Sequence, residues 1–412
     1  MQGLVLLDDG KGRFGPMVDL RASFDLRTGM LTTRERIAAA TGRTPIGAIV
    51  PGHLGPVVSE AHPTLAVNDR LEVDEPVAVV NGRLLSPPDG IDLEPGTAEI
   101  DPEDGSIRRA VLDQEAIRAL ISTEGPIGEA ALPDGIRRVE RAEPALARHA
   151  WDLFVTAGER IGDDIARLVR PSDHWMRLHG GTVIGDEVIR IAASATLDPH
   201  VVVDARNGPV VVESDVHIGA HSVLVGPCAV LEGTRISAHA TLKAGTVIGP
   251  GCRVGGEIGA SVFQGWSNKS HDGHLGDSWV GEWANLGAAT TNSNLLNTYG
   301  EVTMRLDPDG PRVRSGRQFL GCVVGDHVKT AIGTRITTGS VFGMGTMIAR
   351  SSAAPTSTRR FAWLTDEGER SYRLEKFLDT ARTVLARRDR ELGPALEDRI
   401  RALHASAGGS AS

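Results

Sequence analysis

The sequence predicts a parallel β-helix that follows an α/β domain and precedes a helical tail. The first observation is an aliphatic residue at every sixth position through Val212, Ile218, Leu224, Val230, Ile236, Leu242, Ile248 and Val254. The second is a small or β-branched residue four positions after these anchors, at Val216, Ser222, Cys228, Thr234, Ala240, Thr246 and Cys252. Neither a helix (period about 3.6) nor an ordinary strand (period about 2) makes this pattern, whereas a β-helix built of hexapeptides does. Aromatic residues make up only 4% of the chain, which suits an interior of stacked aliphatic side chains.

The residues before the repeat are typical of an α/β domain. Apolar runs predict strands at 4–7, 46–50, 71–73 and 77–80, and periodic stretches predict helices at 31–40 and 113–122. Thr32 or Thr33 is the expected cap of the first helix. Residues 86–106 are rich in Pro, Asp and Gly, which favours a loop.

Four segments follow from these patterns: an α/β domain at 1–142, a helical bridge at 143–181, a β-helix at 182–355 and a helical tail at 356–412. The six-residue step is lost twice within the β-helix, at 256–274 and again at 291–318. Because breaks in a regular scaffold are where loops carry function, these two segments are the first places to look for a site. The apolar side of the tail is expected to pack on a neighbouring subunit.

Composition excludes several classes of protein. The net charge is −9 and no large basic block is present, which argues against nucleic acid as the main partner. No apolar run approaches the ~18 residues of a membrane span, and the first residues do not resemble a signal peptide. The three cysteines, Cys228, Cys252 and Cys322, are expected to be buried and inert, and an odd number without a CxxC pair fits a reducing cytoplasm.

Polar side chains concentrate in the segment SNKSHDGHLGDSWVGEWANLGAATTNSN (267–294). His271 stands four residues before LGD (275–277), and NLGAAT (285–290) follows. This pair of motifs resembles the acetyltransferase half of the bifunctional N-acetylglucosamine-1-phosphate uridylyltransferase / glucosamine-1-phosphate N-acetyltransferase family. The resemblance implies that the β-helix is left-handed and forms a homotrimer.

The resemblance also implies roles for individual residues. His271 takes the position of the general base, because an amine that attacks a thioester must lose a proton and an imidazole can accept it near neutral pH. Lys269, His274 and Asn285 are expected to bind the sugar phosphate. Asn294, Thr330, Ala331 and Thr346 are expected to line the acetyl-CoA cleft.

The amino-terminal segment 4–36, WDLF (151–154) and TTNSNLLNTYGEV (290–302) resemble a divergent sugar nucleotidyltransferase subgroup with a short, Rossmann-like nucleotidyltransferase domain. In that case Arg13, Arg21 and Arg27 would bind a sugar phosphate or a nucleoside triphosphate such as UTP, and Asp8 or Asp9 would hold Mg²⁺. The chain departs from ordinary uridylyltransferases, because it lacks their Gly-rich loop and has Asn81-Gly82-Arg83 where they carry a metal-binding Asp. Two interpretations follow for this domain: an active nucleotidyltransferase, or a domain that only binds a sugar nucleotide or has a purely structural role.

Three histidines form a separate pattern. His221 and His239 are eighteen residues apart, and His200 precedes His221 by eighteen plus a three-residue bulge, so the three are expected to stack at one corner of successive coils. A polar ladder is the favoured interpretation. The alternative is a zinc site like that of the γ-class carbonic anhydrases.

The resemblance implies a cytoplasmic, acetyl-CoA-dependent acyltransferase that N-acetylates a hexosamine 1-phosphate in nucleotide-sugar (UDP-N-acetylglucosamine-type) biosynthesis. A non-catalytic β-helix protein that binds a sugar nucleotide is the alternative from another class. The residues do not decide which sugar is used or whether a nitrogen or an oxygen is acylated.

Overall fold

The computed structural model of the protein describes residues 3–168 and 181–408. The amino-terminal part is a seven-stranded mixed sheet with the order β3-β2-β1-β4-β6-β5-β7. Its strands are β1 (Leu4–Leu7), β2 (Pro45–Ile49), β3 (Ala66–Val67), β4 (Val77–Asn81), β5 (Thr97–Ile100), β6 (Ile107–Leu112) and β7 (Arg137–Glu140). Its helices are α1 (Thr33–Thr41), α2 (Gly55–Ala61) and α3 (Gln114–Ile121).

Strand β1 lies at the centre of this sheet, where it pairs in parallel with both β2 and β4. All four of its residues are buried, as expected for a strand covered on both faces. The chain moves from β1 to β2 and β3 on one side and then returns to β4 on the other. The order therefore reverses between β1 and β4, and in open α/β sheets ligands bind at such a point.

Two local predictions in this domain were wrong. Residues 71–73 are not a strand, because the chain leaves β3 through a short turn at Asn68–Arg70. The predicted loop 86–106 contains β5, whose residues are buried by pairing with β6 and β7. The predicted cap of α1 is confirmed, since the Thr32 side chain accepts a hydrogen bond from Glu35 N and the Glu35 carboxylate accepts one from Thr32 N.

Helices α4 (Ala150–Phe154) and α5 (Ala157–Arg167) lie in the predicted bridge. The coils that follow form three stacks of short parallel strands, consistent with the predicted left-handed β-helix. We call the first stack the domain face: β9 (Ile189–Ile191), β12 (Val210–Val212), β15 (Cys228–Val230), β18 (Thr246–Ile248), β21 (Val262–Phe263), β24 (Trp279–Val280), β28 (Cys322–Val324), β31 (Ser340–Phe342) and β33 (Ser357–Thr358).

The second stack is called the asparagine face. It contains β10 (Thr196–Leu197), β13 (His217–Ile218), β16 (Arg235–Ile236), β19 (Arg253–Val254), β22 (Asn268–Lys269), β29 (Lys329–Thr330), β32 (Met347–Ala349), β34 (Ala362–Thr365) and β35 (Gly368–Ser371). Asn285 bridges β22 to β29. All pairs along this stack are parallel except β34 with β35.

The third face consists of β8 (Thr182–Ile184), β11 (Val202–Asp204), β14 (Val223–Val225), β17 (Thr241–Leu242), β20 (Glu257–Gly259) and β23 (His274–Gly276). Beyond it, β25 (Thr291–Asn292) pairs with β30 (Arg335–Ile336). The excursion at 291–318 carries a small antiparallel hairpin of β26 (Thr303–Met304) and β27 (Val313–Arg314).

The break predicted at 256–274 is a change of coil length rather than a loss of the β-helix. Ile236 pairs with Val254 across a coil of eighteen residues, whereas Val254 pairs with Lys269 across only fifteen. The corners shorten while the parallel strands and the inward aliphatic stack continue. A strict six-residue count fails in this segment because it assumes corners of constant length. The pairing of the strands does not depend on corner length and therefore continues.

The domain face is covered by the chain's own amino-terminal half. Its outward positions are apolar and buried: Val211, Ala229, Val247, Val262, Trp279, Val323 and Val341. They pack in one cluster with side chains of the first domain and the bridge, among them Phe14, Met17, Trp151 and Phe154. The first domain therefore lies along one side of the β-helix.

The helices α6 (Leu374–Ala386) and α7 (Pro394–Gly408) form the tail, which starts after the last coil strands rather than at residue 356. The expectation that the tail packs on a neighbouring subunit was wrong for its apolar side. Phe377, Leu378 and Leu403 are buried against Met344 and Phe361 of the same chain. Glu60 of α2 accepts hydrogen bonds from the first backbone amides of α7, so the tail also holds the first domain.

The three cysteines are buried and unpaired, as predicted, and burial raises the pKa of each thiol to about 12. In the part of the chain that the structure describes, we find no helix of the length and apolarity that a membrane crossing requires.

Candidate acyl-transfer site

His271 lies on an exposed loop at the corner between the asparagine face and the third face. Lys269 holds this loop from inside the β-helix: its Nζ donates to the carbonyl oxygens of His271 at 2.9 Å, Asp272 at 3.2 Å and Gly255 at 3.3 Å. The hydroxyl of Ser237, two coils before, donates to the Ser270 carbonyl at 2.9 Å. The loop that presents His271 is therefore anchored through its backbone.

Lys269 is the inward residue of its strand, in a column whose preceding members Ile218, Ile236 and Val254 are aliphatic. Its side chain is 1% exposed, and burial lowers the pKa of the amino group to about 8. The predicted role of Lys269 as a phosphate contact does not fit this position, because three backbone carbonyls occupy the amino group.

Outward of this column, Asn268, Asn285 and Lys329 follow one another on three successive coils of the asparagine face. Asn285 is exposed, and its Oδ1 accepts a hydrogen bond from Asn268 Nδ2 at 3.4 Å. Burial lowers the pKa of the Lys329 amino group to about 8. Arg388, at the end of α6, donates to Asn268 Oδ1 at 2.9 Å, so the tail reaches the edge of the site.

His274 and Asn294, predicted for sugar and acetyl-CoA, lie together at the third face. A Cβ placed on Gly276 would lie 2.7 Å from His274 Nε2 and 2.8 Å from Asn294 Nδ2, so both side chains close over this glycine. His274 Nδ1 is 3.2 Å from Glu257 Oε1, and Asn294 donates to Asp277 Oδ2 at 2.5 Å. Burial raises the pKa of Asp277.

Two of the residues predicted for the acetyl-CoA cleft point into the β-helix. Thr330 Oγ1 lies 2.8 Å from Thr290 Oγ1, and Thr346 Oγ1 donates to the Gly343 carbonyl at 2.7 Å. Both threonines are buried and tie neighbouring corners together. Ala331, the third, is half-buried beside Ile332, whose side chain is 81% exposed.

The three predicted histidines do stack at the corner that also carries His271. The ring centroids of His200 and His221 are 4.9 Å apart, and those of His221 and His239 are 5.0 Å apart, with the rings nearly parallel. Parallel stacked rings do not direct three nitrogens at one point, as tetrahedral zinc requires. Among residues 3–168 and 181–408, no group of three or more potential metal-binding side chains occurs.

At the switch point of the amino-terminal sheet, Arg83 and Asp9 form a buried ion pair. Arg83 Nε donates to Asp9 Oδ1 at 2.9 Å and Nη2 to Asp9 Oδ2 at 2.6 Å, and Asn81 Nδ2 adds a bond to Oδ2 at 2.8 Å. Both charged side chains are about 1% exposed. The Asp9 carboxylate is thus fully engaged where Mg²⁺ was predicted.

Asp8 does not supply a metal site either. Its carboxylate accepts backbone hydrogen bonds from Ser23 at 2.7 Å and Gly10 at 3.1 Å, and burial raises its pKa. The neighbouring cleft, about 570 Å³ in volume, includes Asp69 and Glu124, with neither lysine nor arginine among its described lining residues. The described side chains at this end of the sheet do not fit a Mg²⁺–nucleotide complex.

The three arginines predicted to bind phosphate have different environments. Arg21 is buried in a two-bond ion pair with Asp326 (2.8 and 3.0 Å), and Glu282 lies 3.3 Å away. Arg27 donates to Gln264 and Met30 carbonyls. Both residues thus join the first domain to the β-helix, whereas Arg13 is exposed and lines a cleft of about 560 Å³ with Arg359 and Arg360.

Sequence reasoning missed Asn268, Arg83 and Arg388. Asn268 had a usable signal, because it immediately precedes Lys269 and therefore points outward on the same strand. Arg83 was noticed only as a departure from a motif, and Arg388 reaches the site through the fold of the tail, which no local pattern predicts.

Comparison with known proteins supports the family resemblance at low identity. Residues 4–172 match the family of sugar nucleotidyl transferases. The chain is 26% identical to the "Bifunctional protein GlmU" of Rhodococcus jostii over 353 residues, which is 75% of this chain and 67% of that protein.

Two further relatives match shorter stretches. The GlmU protein of Nostoc sp. is 26% identical over 41% of each chain. The "Bifunctional sugar-1-phosphate nucleotidylyltransferase/acetyltransferase" of Sulfurisphaera tokodaii is 31% identical over 33% of this chain and 34% of its own length. The chain thus spans less than half of each of these two proteins.

Among solved structures, the polysialic acid O-acetyltransferase OatWY matches 47% of this chain and 88% of its own, with 12% identity and a TM-score of 0.24. The sequence matches, the seven-stranded α/β sheet and the β-helix together confirm the resemblance of this chain to the family of bifunctional sugar-1-phosphate nucleotidylyltransferase/acetyltransferase proteins, with a sugar nucleotidyl transferase domain at its amino-terminal end.

Proposed function

We propose that the β-helix catalyses acetyl transfer from acetyl-CoA to the amino group of a hexosamine 1-phosphate, with His271 as the general base. The observation that supports this most is the exposed His271 on a loop fixed from inside by Lys269. Efficient proton transfer requires the base to be held within hydrogen-bond reach of the proton. A base on a fixed loop meets this requirement without the loop backbone having to become ordered when the substrate binds.

In this proposal His271 removes a proton from the neutral amine nitrogen as this nitrogen bonds to the acetyl carbon. The bond from that carbon to the sulfur of CoA then breaks, and the protonated His271 returns the proton to the sulfur, so that CoA leaves as a thiol. Asn285, with Lys329 one coil further on, lies on the adjoining face, where an amide and a cation suit the hydroxyls and the phosphate of the sugar.

The first experiment is to follow CoA release from acetyl-CoA and glucosamine 1-phosphate with wild type and His271→Ala. We expect release by the wild type and a loss of about 10²–10⁴-fold in the variant. His239→Ala is the matched control, because this histidine lies at the same corner but outside the 270–273 loop. Equal loss in both variants would contradict the role of His271 as the base, and no release by folded wild type would remove the acetyltransferase proposal and favour the sugar-nucleotide-binding alternative.

We also propose that the active form is a homotrimer in which a neighbouring β-helix completes the site. The support is that His271 and Asn285 are exposed in the single chain, while the first domain already covers the domain face. Light scattering on the purified protein measures the mass directly, and a monomer that still releases CoA would contradict this assembly.

For the amino-terminal domain, we propose a supporting role without nucleotidyl transfer. The buried pair of Asp9 and Arg83 occupies the switch point at which a nucleotide would bind. UTP turnover with N-acetylglucosamine 1-phosphate and Mg²⁺, followed as pyrophosphate release, is therefore expected to stay at the blank level.

A further inference from the structure

A groove of about 680 Å³ lies between α6 and the hairpin of β34 and β35, on the asparagine face. We call it the tail groove. Its lining includes the rings of Trp363 and Tyr372 and the charged side chains of Arg370, Arg373, Lys376 and Arg387. Pockets of this volume accommodate a ligand of nucleotide size.

The four cations of the tail groove differ from their neighbours in their ion pairing. On the outer side of the same tail, Arg382 pairs with Glu397 and Arg401 with Glu375, both at 2.7 Å. Within residues 3–168 and 181–408, none of the four groove cations has a carboxylate at ion-pairing distance. Asp379 is the one carboxylate among the described lining residues, and it faces Arg382 at 3.6 Å.

Stability does not explain this arrangement in a protein whose net charge is −9. Arg373 caps the amino end of α6 without a side-chain hydrogen bond, and Lys376 lies in its first turn. Cations there oppose the helix dipole. Four like charges around one cleft are therefore better explained by an anionic ligand that neutralises them.

The other wall of the tail groove is apolar. Trp363 is half-buried, and its ring meets that of Tyr372 edge to face, with centroids 4.7 Å apart. Val384 of α6 completes this wall. An aromatic ring held on one side by another is a suitable surface for a flat ligand part.

We propose that the tail groove binds a nucleoside diphosphate moiety, with the diphosphate on Arg370, Arg373 and Lys376 and the base against the apolar wall. Trp363 pairs with Met347 and Met347 with Lys329, so the groove lies two coils from Lys329 along the same face. The moiety has two possible sources, a free nucleotide or the nucleotide part of the acyl donor. Binding itself does not depend on the proposed acetyl transfer.

The test is isothermal titration of the full-length protein at low salt with ADP, UDP and inorganic diphosphate. We expect both nucleotides to bind more tightly than diphosphate, because only they use the apolar wall. Arg370→Gln/Arg373→Gln is expected to weaken nucleotide binding by about 30-fold or more, since it removes two charge-assisted contacts. Arg118→Gln, an exposed change on α3, is the control and leaves binding unchanged.

Coenzyme A then identifies the source. Competition between coenzyme A and ADP assigns the moiety to the acyl donor, and the absence of competition assigns the groove to a free nucleotide. No nucleotide binding by folded wild type, or binding that survives the double variant, overturns the proposal. His271→Ala is expected to bind normally, so failure of the acetyltransferase proposal leaves this result unaffected.

Discussion

The two domains place their chemically interesting residues in opposite ways. In the amino-terminal domain Asp9 and Arg83 are buried and bonded to each other at the point where a sheet of this kind binds its ligand. In the β-helix, His271 is exposed, and the buried charge, Lys269, holds the loop beneath it. A motif position in a sequence therefore identifies a place in the fold, but only the side chain's partners decide whether it is available for chemistry.

The charges between the domains sharpen this comparison. Arg21 and Arg27, which the motif placed in a phosphate site, bind Asp326 and Gln264 of the β-helix instead. Together with Asp19, which accepts two hydrogen bonds from Arg360 at 2.7 and 2.8 Å, they attach the first domain to the coils. In this protein the arginines that follow the first strand therefore hold the two domains together.

The largest expected effect is from Arg21→Met, which would leave Asp326 buried without its partner. We expect a loss of about 3–5 kcal/mol in the free energy of unfolding, measured by denaturant titration. Replacing both partners, as Arg21→Met/Asp326→Leu, should recover much of this loss because no unpaired charge remains. A single variant as stable as the wild type would contradict the interpretation of Arg21 as a joint.

Arg83→Met is expected to cost about 3 kcal/mol, because Asp9 keeps only its bonds to Asn81 and to the Lys11 amide. The same variant tests whether the ion pair closes the switch point, since it removes the guanidinium that occupies the Asp9 carboxylate. Pyrophosphate release from UTP is the measurement. Turnover that appears in the variant would mean that the ion pair alone blocks an otherwise complete site.

Lys269→Met tests the other half of the comparison, the buried charge that holds the His271 loop in the β-helix. We expect acetyl transfer to fall by about 10–100-fold, since the His271 loop loses its anchor while the base itself remains. The CoA-release assay checks this, and His271→Ala in the same background should then have a smaller effect than it has alone.

The buried Lys269 also predicts a pH dependence. Its pKa is lowered from 10.5 to about 8 in the folded protein, so between these values the unfolded chain binds more protons. Stability should therefore rise with pH from about 8 to 10.5, and the part due to Lys269, about 1–3 kcal/mol, should be missing in Lys269→Met, where Lys329 still contributes its own rise. Denaturant titrations of both proteins across this range measure the difference, and parallel curves would contradict it.

The smallest expected effect is that of His239→Ala, which removes one ring of the stacked ladder. We expect a change in unfolding free energy below about 1 kcal/mol and no change in CoA release. Measuring the zinc content of wild type and variant tests the alternative interpretation of the histidines as a zinc site. Stoichiometric zinc in the wild type that is absent from His239→Ala would support that zinc site.

Much of the β-helix was predictable because its period is a local property of the chain. The anchors from Val212 to Val254 stack inward on successive coils as predicted, and the histidine ladder follows from the same count. The count failed at 256–274, where the corners shorten from one coil to the next. Strand pairing is a contact between distant residues, so it continues where the local period is lost.

Sequence alone determined the fold class, the stacking of His200, His221 and His239 at one corner and the burial of the cysteines, because each depends on spacing along the chain. Tertiary structure alone decided that Lys269 points inward, that Arg21 joins the first domain to the β-helix and that Arg83 closes the crevice at Asp9. The physical reason is that a charged side chain takes its role from its partners. In each case those partners lie on another strand, another coil or another domain.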